Sequence, residues 1–88
     1  MKTKNDFVLR NIADENIAIP IGEGSDRLNG VITLSESGAF LWEKLQAEQT
    51  EETLLTALTD EYDVDTETAQ KDIRAFLGKL RELGCLEE

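Results

Sequence analysis

The sequence predicts an α+β domain in which a three-stranded antiparallel sheet is followed by three helices. Short runs of β-branched residues separated by turn residues fill the first third of the chain, a pattern typical of strands. From residue 35 onward, apolar residues recur at helical spacing behind residues that favour helix N-caps. A chain of 88 residues has room for one core, so residues 1–88 are expected to form a single domain.

The first two predicted strands form a hairpin. Residues 7–9 begin the first strand, residues 13–16 form the turn, and the β-branched run at residues 17–21 forms the second strand. Pro20 has no backbone N–H to donate to a ladder, so its strand is expected to lie at an edge or to stop there.

The third predicted strand comprises residues 31–34, so that the strands together lie within residues 7–34. Residues 22–26 are expected to form a flexible connection before it. Asn29 and Gly30, which tolerate positive φ, are expected to turn the chain into the strand.

Three helices are predicted over about residues 35–47, 50–62 and 65–83. Ser35 and Thr50 are suitable N-caps for the first two, and Asp65 or Thr66 for the third. Gly84 is a suitable residue to end the third helix. That helix has the clearest apolar periodicity in the chain, carried by Ala69, Ile73, Phe76, Leu77, Leu80 and Leu83. The layout is that of a small winged helix-turn-helix-like domain.

Composition excludes several classes of function. The chain has 19 acidic and 9 basic residues, and its net charge of −10 repels nucleic acid and anionic lipid over the surface as a whole. A single Cys and no His exclude an internal disulfide and a Cys/His zinc site. No apolar stretch approaches the length of a membrane span or a signal peptide, which predicts a cytoplasmic protein.

Several residues of types that can act in catalysis or metal binding are better explained by structural roles. Trp42 and Phe40 are expected to pack in the core, and Cys85 to fill an apolar position after Gly84. Residues 63–67 lack the glycine and the closing glutamate of an EF-hand loop. Acid pairs such as those at residues 51–52 and 63–65 are therefore assigned to helix N-termini, with no metal site.

Four segments together resemble the PqqD family, whose namesake is coenzyme PQQ synthesis protein D and whose fold is called the RiPP recognition element. They are residues 27–30 (RLNG), 34–42 (LSESGAFLW), 72–80 (DIRAFLGKL) and 83–86 (LGCL). Each motif consists of core and capping residues, but their order and spacing are specific. The resemblance extends over nearly the whole chain, from about residue 7 to residue 86.

The resemblance implies a binding function without catalysis, cofactor or metal. Members of this family bind the leader segment of a ribosomally made precursor peptide, as in the biosynthesis of PQQ or related products, and present it to a modifying enzyme that is often a radical SAM protein. The expected partners are therefore a leader peptide and a RiPP-modifying enzyme, with no nucleic acid and no membrane. A monomer or a weak dimer is expected, because an unoccupied strand edge can pair with another chain.

The resemblance also implies where the peptide binds. The peptide adds as an extra strand to Val31, Ile32, Thr33 and Leu34, and one flank of the third helix forms the other wall of the groove. Main-chain hydrogen bonds then supply sequence-tolerant binding, and pockets for alternate side chains select the peptide.

The third helix itself carries a marked concentration of bases. At about 100° per residue, Leu77 lies at the centre of its buried stripe. Residues along one edge of that stripe are Gln70, Arg74 and Arg81, and those flanking the other edge are Asp72 and Lys79. Our hypothesis is that Arg74, helped by Lys71 or Arg81, engages an acidic side chain of the peptide. The alternative is that these bases are ordinary solvated residues favoured near a helix C-terminus.

Two other functions fit the same fold. Winged-helix topology is shared with DNA-binding regulators, but the second helix carries Glu51, Glu52, Asp60 and Glu61 and no base. The third possibility is a structural subunit that docks on an enzyme and binds no leader peptide.

Overall fold

A computed structural model gives the structure of the protein and describes residues 1–4, 7–21 and 30–87. These residues form five strands and three helices, in the order β1 (Lys2–Thr3), β2 (Phe7–Ile12), β3 (Glu15–Pro20), β4 (Ile32–Leu34), α1 (Glu36–Lys44), α2 (Glu51–Glu61), α3 (Thr66–Glu82) and β5 (Leu86–Glu87). The predicted three-stranded antiparallel sheet followed by three helices is confirmed.

The sheet has the order β2-β3-β4, with every pair antiparallel. Ala13 and Asp14 form the two-residue turn between β2 and β3 at φ 52° and 66°, where short polar or small residues are tolerated in tight hairpins. Pro20 is the last residue of β3, as its missing N–H predicted. The predicted connection at residues 22–26 and Asn29 lie outside the described residues, and Gly30 has φ 125°.

All three helices begin at a polar cap that accepts a backbone hydrogen bond. Ser35, Thr50 and Asp65 are the N-caps, which confirms the predicted starts. Gly84 follows the C-cap of α3 with φ +71°, a left-handed conformation that glycine adopts without strain.

The core lies between the inner face of the sheet and the three helices. Trp42 is 2% exposed and packs edge-on against Phe7, with ring centroids 5.9 Å apart. Cys85 is fully buried, so its predicted role as an apolar filler is confirmed. Phe40 is half-buried at the margin of the core, edge-on to Tyr62 at 5.6 Å.

Two very short strands, which periodicity did not predict, join the two ends of the described chain. β1 pairs antiparallel with β5, so that Thr3 faces Leu86. The N–H of Thr3 also donates to the carbonyl of Leu45 over 2.9 Å, just past the end of α1. A two-residue strand has no alternation to detect, and only the packing of the helix ends brings these segments together.

In the part of the chain that the structure describes, no helix combines the length and apolar character needed to cross a membrane.

Candidate functional site

One edge of the sheet is open along β4. Within the described ranges, β4 pairs with β3 and with no other strand. Ile32 and Leu34 are buried in the core, whereas Thr33 is exposed and Val31, just before the strand, is 55% exposed. An extended chain can hydrogen-bond along such an edge, so the four residues predicted to receive the peptide lie where strand addition is possible.

The flank of α3 that carries Phe76 lies beside the end of β4. A Cβ built on Gly38, near the start of α1, would lie 3.4 Å from Cε1 of Phe76 and 3.7 Å from Cβ of Leu34. A cleft of about 250 Å³ opens at this junction and is lined by Ser35, Ser37, Gly38, Leu41, Asp72, Ala75 and Phe76. The first turns of α1 and the Asp72–Phe76 flank of α3 therefore form the two sides of this cleft, and the end of β4 lies next to it.

The helices α1 and α3 run in the same direction from this junction. Gly38, near the start of α1, lies beside Phe76, in the second half of α3. Both helices end near β1, since Thr3 hydrogen-bonds Leu45 after α1 and faces Leu86 after α3. Residues that follow Phe76 on the same flank of α3 thus lie progressively farther from Gly38 and closer to β1.

The sheet register gives this direction relative to β4. Leu34 is paired with Asn16, close to the β2–β3 turn, and Ile32 is paired with Ala18. The end of β4 at Leu34 therefore lies at the turn end of the sheet, and the pair Phe7 and Pro20 lies at the opposite end. Trp42, late in α1, packs on Phe7. The helices therefore run back along the sheet, antiparallel to β4.

The flank of α3 that carries Gln70 and Arg74 faces α2. Gln70 and Arg74 line a second cleft of about 540 Å³ between α2 and α3, together with Thr50, Glu51, Glu52, Leu55 and Ile73. Nε of Arg74 lies 3.9 Å from Oε2 of Glu51, and both side chains are largely solvated, at 62% and 46% exposure. An ion pair this long and this exposed stabilises the fold little.

The other predicted peptide contacts on α3 are spread around the helix. Leu77 is fully buried among core side chains. Lys71 is exposed, and Arg81 is exposed on the edge that also carries Arg74. The structure therefore brings residues 31–34 together at one wall, and places Gln70 and Arg74 in a different cleft, across α3 from Phe76.

The residues that line this cleft were not among those predicted to contact the peptide. Ser35 and Phe76 were assigned only to capping and core, and Asp72 only to one edge of the helix. The available signal was the small residues Gly38 and Ala75, because small side chains mark places where elements approach closely or leave room for a ligand. That signal does not by itself say which flank of α3 faces the strand.

The site offers hydrogen-bonding edges, an apolar floor and one carboxylate. Within the described ranges, no cluster of three His, Cys, Asp or Glu side chains is placed to hold a metal ion. This arrangement is suited to binding an extended peptide and to discriminating between its side chains.

Two solved structures are similar to this chain over nearly its whole length. One solved structure, TbiB1 in complex with the TbiA(beta) leader peptide, is 28% identical, with a TM-score of 0.77 over 99% of this chain and 95% of that one. Another, a lasso peptide synthetase B1 complexed with the leader peptide, is 17% identical and shares the fold, with a TM-score of 0.75 over 99% of this chain and 96% of that one. Comparison with curated proteins gave no match.

The profile of one protein family, coenzyme PQQ synthesis protein D, matches residues 15–86. This range includes β3, β4, the three helices and the first residue of β5. The chain belongs to the PqqD family.

Proposed function

We propose that the protein binds the leader segment of a ribosomally synthesised precursor peptide by strand addition and presents it to a modifying enzyme, without catalysing a reaction itself. The observation that carries this proposal is the open edge of β4, whose end at Leu34 lies near Phe76 of α3. Membership of the PqqD family supports it. The complex of the 28% identical TbiB1 with a leader peptide supports it as well.

The short length of β4 determines how binding energy is divided. Three residues of strand, extended by Val31, offer only a few main-chain hydrogen bonds, each contributing about 0.5–1.5 kcal/mol net. The peptide loses conformational freedom when it becomes ordered, at a cost of about 1–2 kcal/mol per residue. Side chains of the peptide must therefore contribute binding free energy in the cleft beside β4, and this cleft determines which leader peptide binds.

The proposed peptide contacts fall into two groups. Val31, Ile32, Thr33 and Leu34 would contribute mainly backbone atoms, because two of the four side chains are buried. Contacts from Gln70, Lys71, Arg74, Leu77 and Arg81 remain predictions. Those of Gln70 and Arg74 require the peptide to reach the cleft on the α2 side of α3.

The partner enzyme would supply the chemistry, as a radical SAM protein or another RiPP-modifying enzyme of the PQQ pathway or a related one. The cytoplasmic location remains a prediction. So does a monomeric or weakly dimeric state. A second copy pairing through β4 would compete with the peptide, because both would use the same strand edge.

Peptide selection followed by hydrogen exchange tests the proposal. A phage-displayed library of random linear peptides is selected against the protein, and amide exchange is measured with and without the tightest binder. Strand addition predicts slower exchange at those amides of residues 31–34 that point to the free edge. Protection confined to other elements would exclude peptide binding at β4.

A gel-shift assay with random duplex DNA at low salt covers the DNA-binding alternative. Non-specific DNA binding is mainly electrostatic, and Arg74 is flanked by Glu51 and Glu52 in its cleft. We expect no shift. A clear shift together with no selected peptide would replace the proposal with a DNA-binding function.

A further inference from the structure

The cleft at the end of β4 is divided into an apolar part and a polar part. The apolar part is formed by Gly38, Leu41, Ala75 and Phe76. The polar part is formed by Ser35, Ser37 and Asp72. A side chain with an apolar stem and a polar end matches this division.

The size of the cleft suits one side chain. Its volume of about 250 Å³ is below the roughly 300–1,000 Å³ of pockets that hold whole small molecules. Gly38 keeps it open, because a Cβ there would approach Ser35 Oγ to 3.2 Å and Phe76 Cε1 to 3.4 Å. A long side chain of a peptide on β4 can enter this space.

The polar atoms of the cleft differ in their availability. Ser35 Oγ already accepts a hydrogen bond from Gly38 N over 3.1 Å, and Ser37 Oγ lies 3.3 Å from Ser35 Oγ. The carboxylate of Asp72 has no hydrogen bond or ion pair within residues 1–4, 7–21 and 30–87. Asp72 is thus the charged group of the cleft that a ligand can engage.

The field at this position favours a cation. The N-terminus of α1 carries a partial positive charge, but the Ser35 cap and Glu36 in the first turn already compensate it. Asp72 adds a full negative charge, and the whole chain carries a net charge of −10. An acidic side chain would be repelled here, and a basic one attracted.

We propose that the leader peptide places a lysine or arginine side chain in this cleft. Its methylene groups lie on Phe76 and Gly38, and its charged group pairs with Asp72. The inference rests on the proposed function, since it assumes that the peptide lies along β4. It assigns peptide recognition to the Asp72 flank of α3, opposite the flank of Arg74.

Charge reversal with a matched control tests the inference. Peptides selected from the phage-displayed library on the native protein are expected to share Lys or Arg at one position. Asp72→Lys should weaken such a peptide by about five- to tenfold, because an attraction becomes a repulsion. Glu82→Lys makes the same charge change on the solvent face of the same helix, and should alter affinity by less than about twofold.

A reciprocal exchange identifies the pair directly. Replacing the shared basic residue of the peptide with Glu should weaken binding to the native protein, and Asp72→Lys should restore it. Equal effects of Asp72→Lys and Glu82→Lys, or selected peptides without a shared basic residue, would overturn the inference. If those peptides still protected residues 31–34 from exchange, the proposed function would stand without it.

Discussion

The ring of Phe76 lies directly against Gly38, so that a Cβ on Gly38 would be 3.4 Å from Phe76 Cε1. This contact joins α3 to the point where β4 passes into α1. Because Gly38 has no side chain, the two elements approach closely while leaving the adjacent cleft open. A side chain at residue 38 would therefore take up space beside the cleft.

Gly38→Ala is expected to weaken peptide binding by about three- to tenfold with little change in stability. The added methyl group occupies space in the cleft and lies tightly against Ser35 Oγ, at 3.2 Å, while Ala in place of Gly in a helix stabilises by up to about 1 kcal/mol and offsets the strain. Peptide titration and urea unfolding measure the two effects.

Gly78→Ala is the matched control, because a Cβ at Gly78 meets no atom within 4 Å. It should raise the free energy of unfolding by about 0.5–1 kcal/mol and leave peptide affinity unchanged. Equal affinities of the two variants would show that the peptide does not use the cleft beside Gly38.

Arg74→Glu distinguishes the two flanks of α3. The hypothesis drawn from the sequence, that Arg74 binds an acidic peptide side chain, predicts a several-fold loss of affinity. The position of Arg74 beside Glu51 in the α2–α3 cleft instead leads us to expect a change below about twofold. A loss as large as that of Asp72→Lys would place the peptide on the Arg74 side.

The N-cap of α3 should make stability depend on pH. Hydrogen bonds from the Thr68 side chain and backbone lower the pKa of Asp65, and Thr68 N lies 2.7 Å from Asp65 Oδ1. Since the folded-state pKa is below the unfolded-state pKa, the stabilisation is present above the unfolded value of about 3.9 and is lost as the pH falls through the folded value.

Asp65→Ala should therefore lower Tm by a few degrees at neutral pH, and this difference should shrink below about pH 4. Asp65→Asn, which retains a capping oxygen, should lose less at neutral pH. Asp63→Ala removes an exposed acid outside the cap and should have little effect. A Tm difference between Asp65→Ala and the native protein that stays constant down to pH 2 would contradict the capping account.

Trp42 should contribute strongly to stability and be dispensable as a peptide contact. Trp42→Ala is expected to cost about 3–5 kcal/mol, a large part of the roughly 4–13 kcal/mol that holds a domain of 88 residues. Trp42→Phe keeps a ring against Phe7 and should remain folded, with peptide affinity within about twofold of the native value. A folded Trp42→Phe variant that no longer binds peptide would show that the indole takes part in recognition.

Local signals were sufficient to predict the helices and the hairpin. Ser35, Thr50 and Asp65 begin the three helices because each side chain accepts a backbone N–H that the helix leaves unpaired. Pro20 ends β3 because it has no N–H to donate. Each of these effects acts within a few residues, so the sequence alone contains it.

The arrangement of the groove required the tertiary structure. Helical periodicity separated Arg74 and Asp72 onto opposite flanks of α3, but a buried stripe is symmetrical with respect to its two edges. Only the packing of Phe76 on Gly38 shows which edge borders β4. The pairing of β1 with β5 is likewise decided by contacts between distant segments.

The sequence by itself thus determined the order of the three-stranded sheet and the three helices, together with the N-caps of those helices. The tertiary structure decided which side chains face β4, because the choice depends on how closely two helices approach, and this is set by side-chain volume at contacts far apart in the chain. In this member of the PqqD family, residues close in the sequence define β4 and the helix caps, whereas packing between distant residues places Phe76 beside the end of β4.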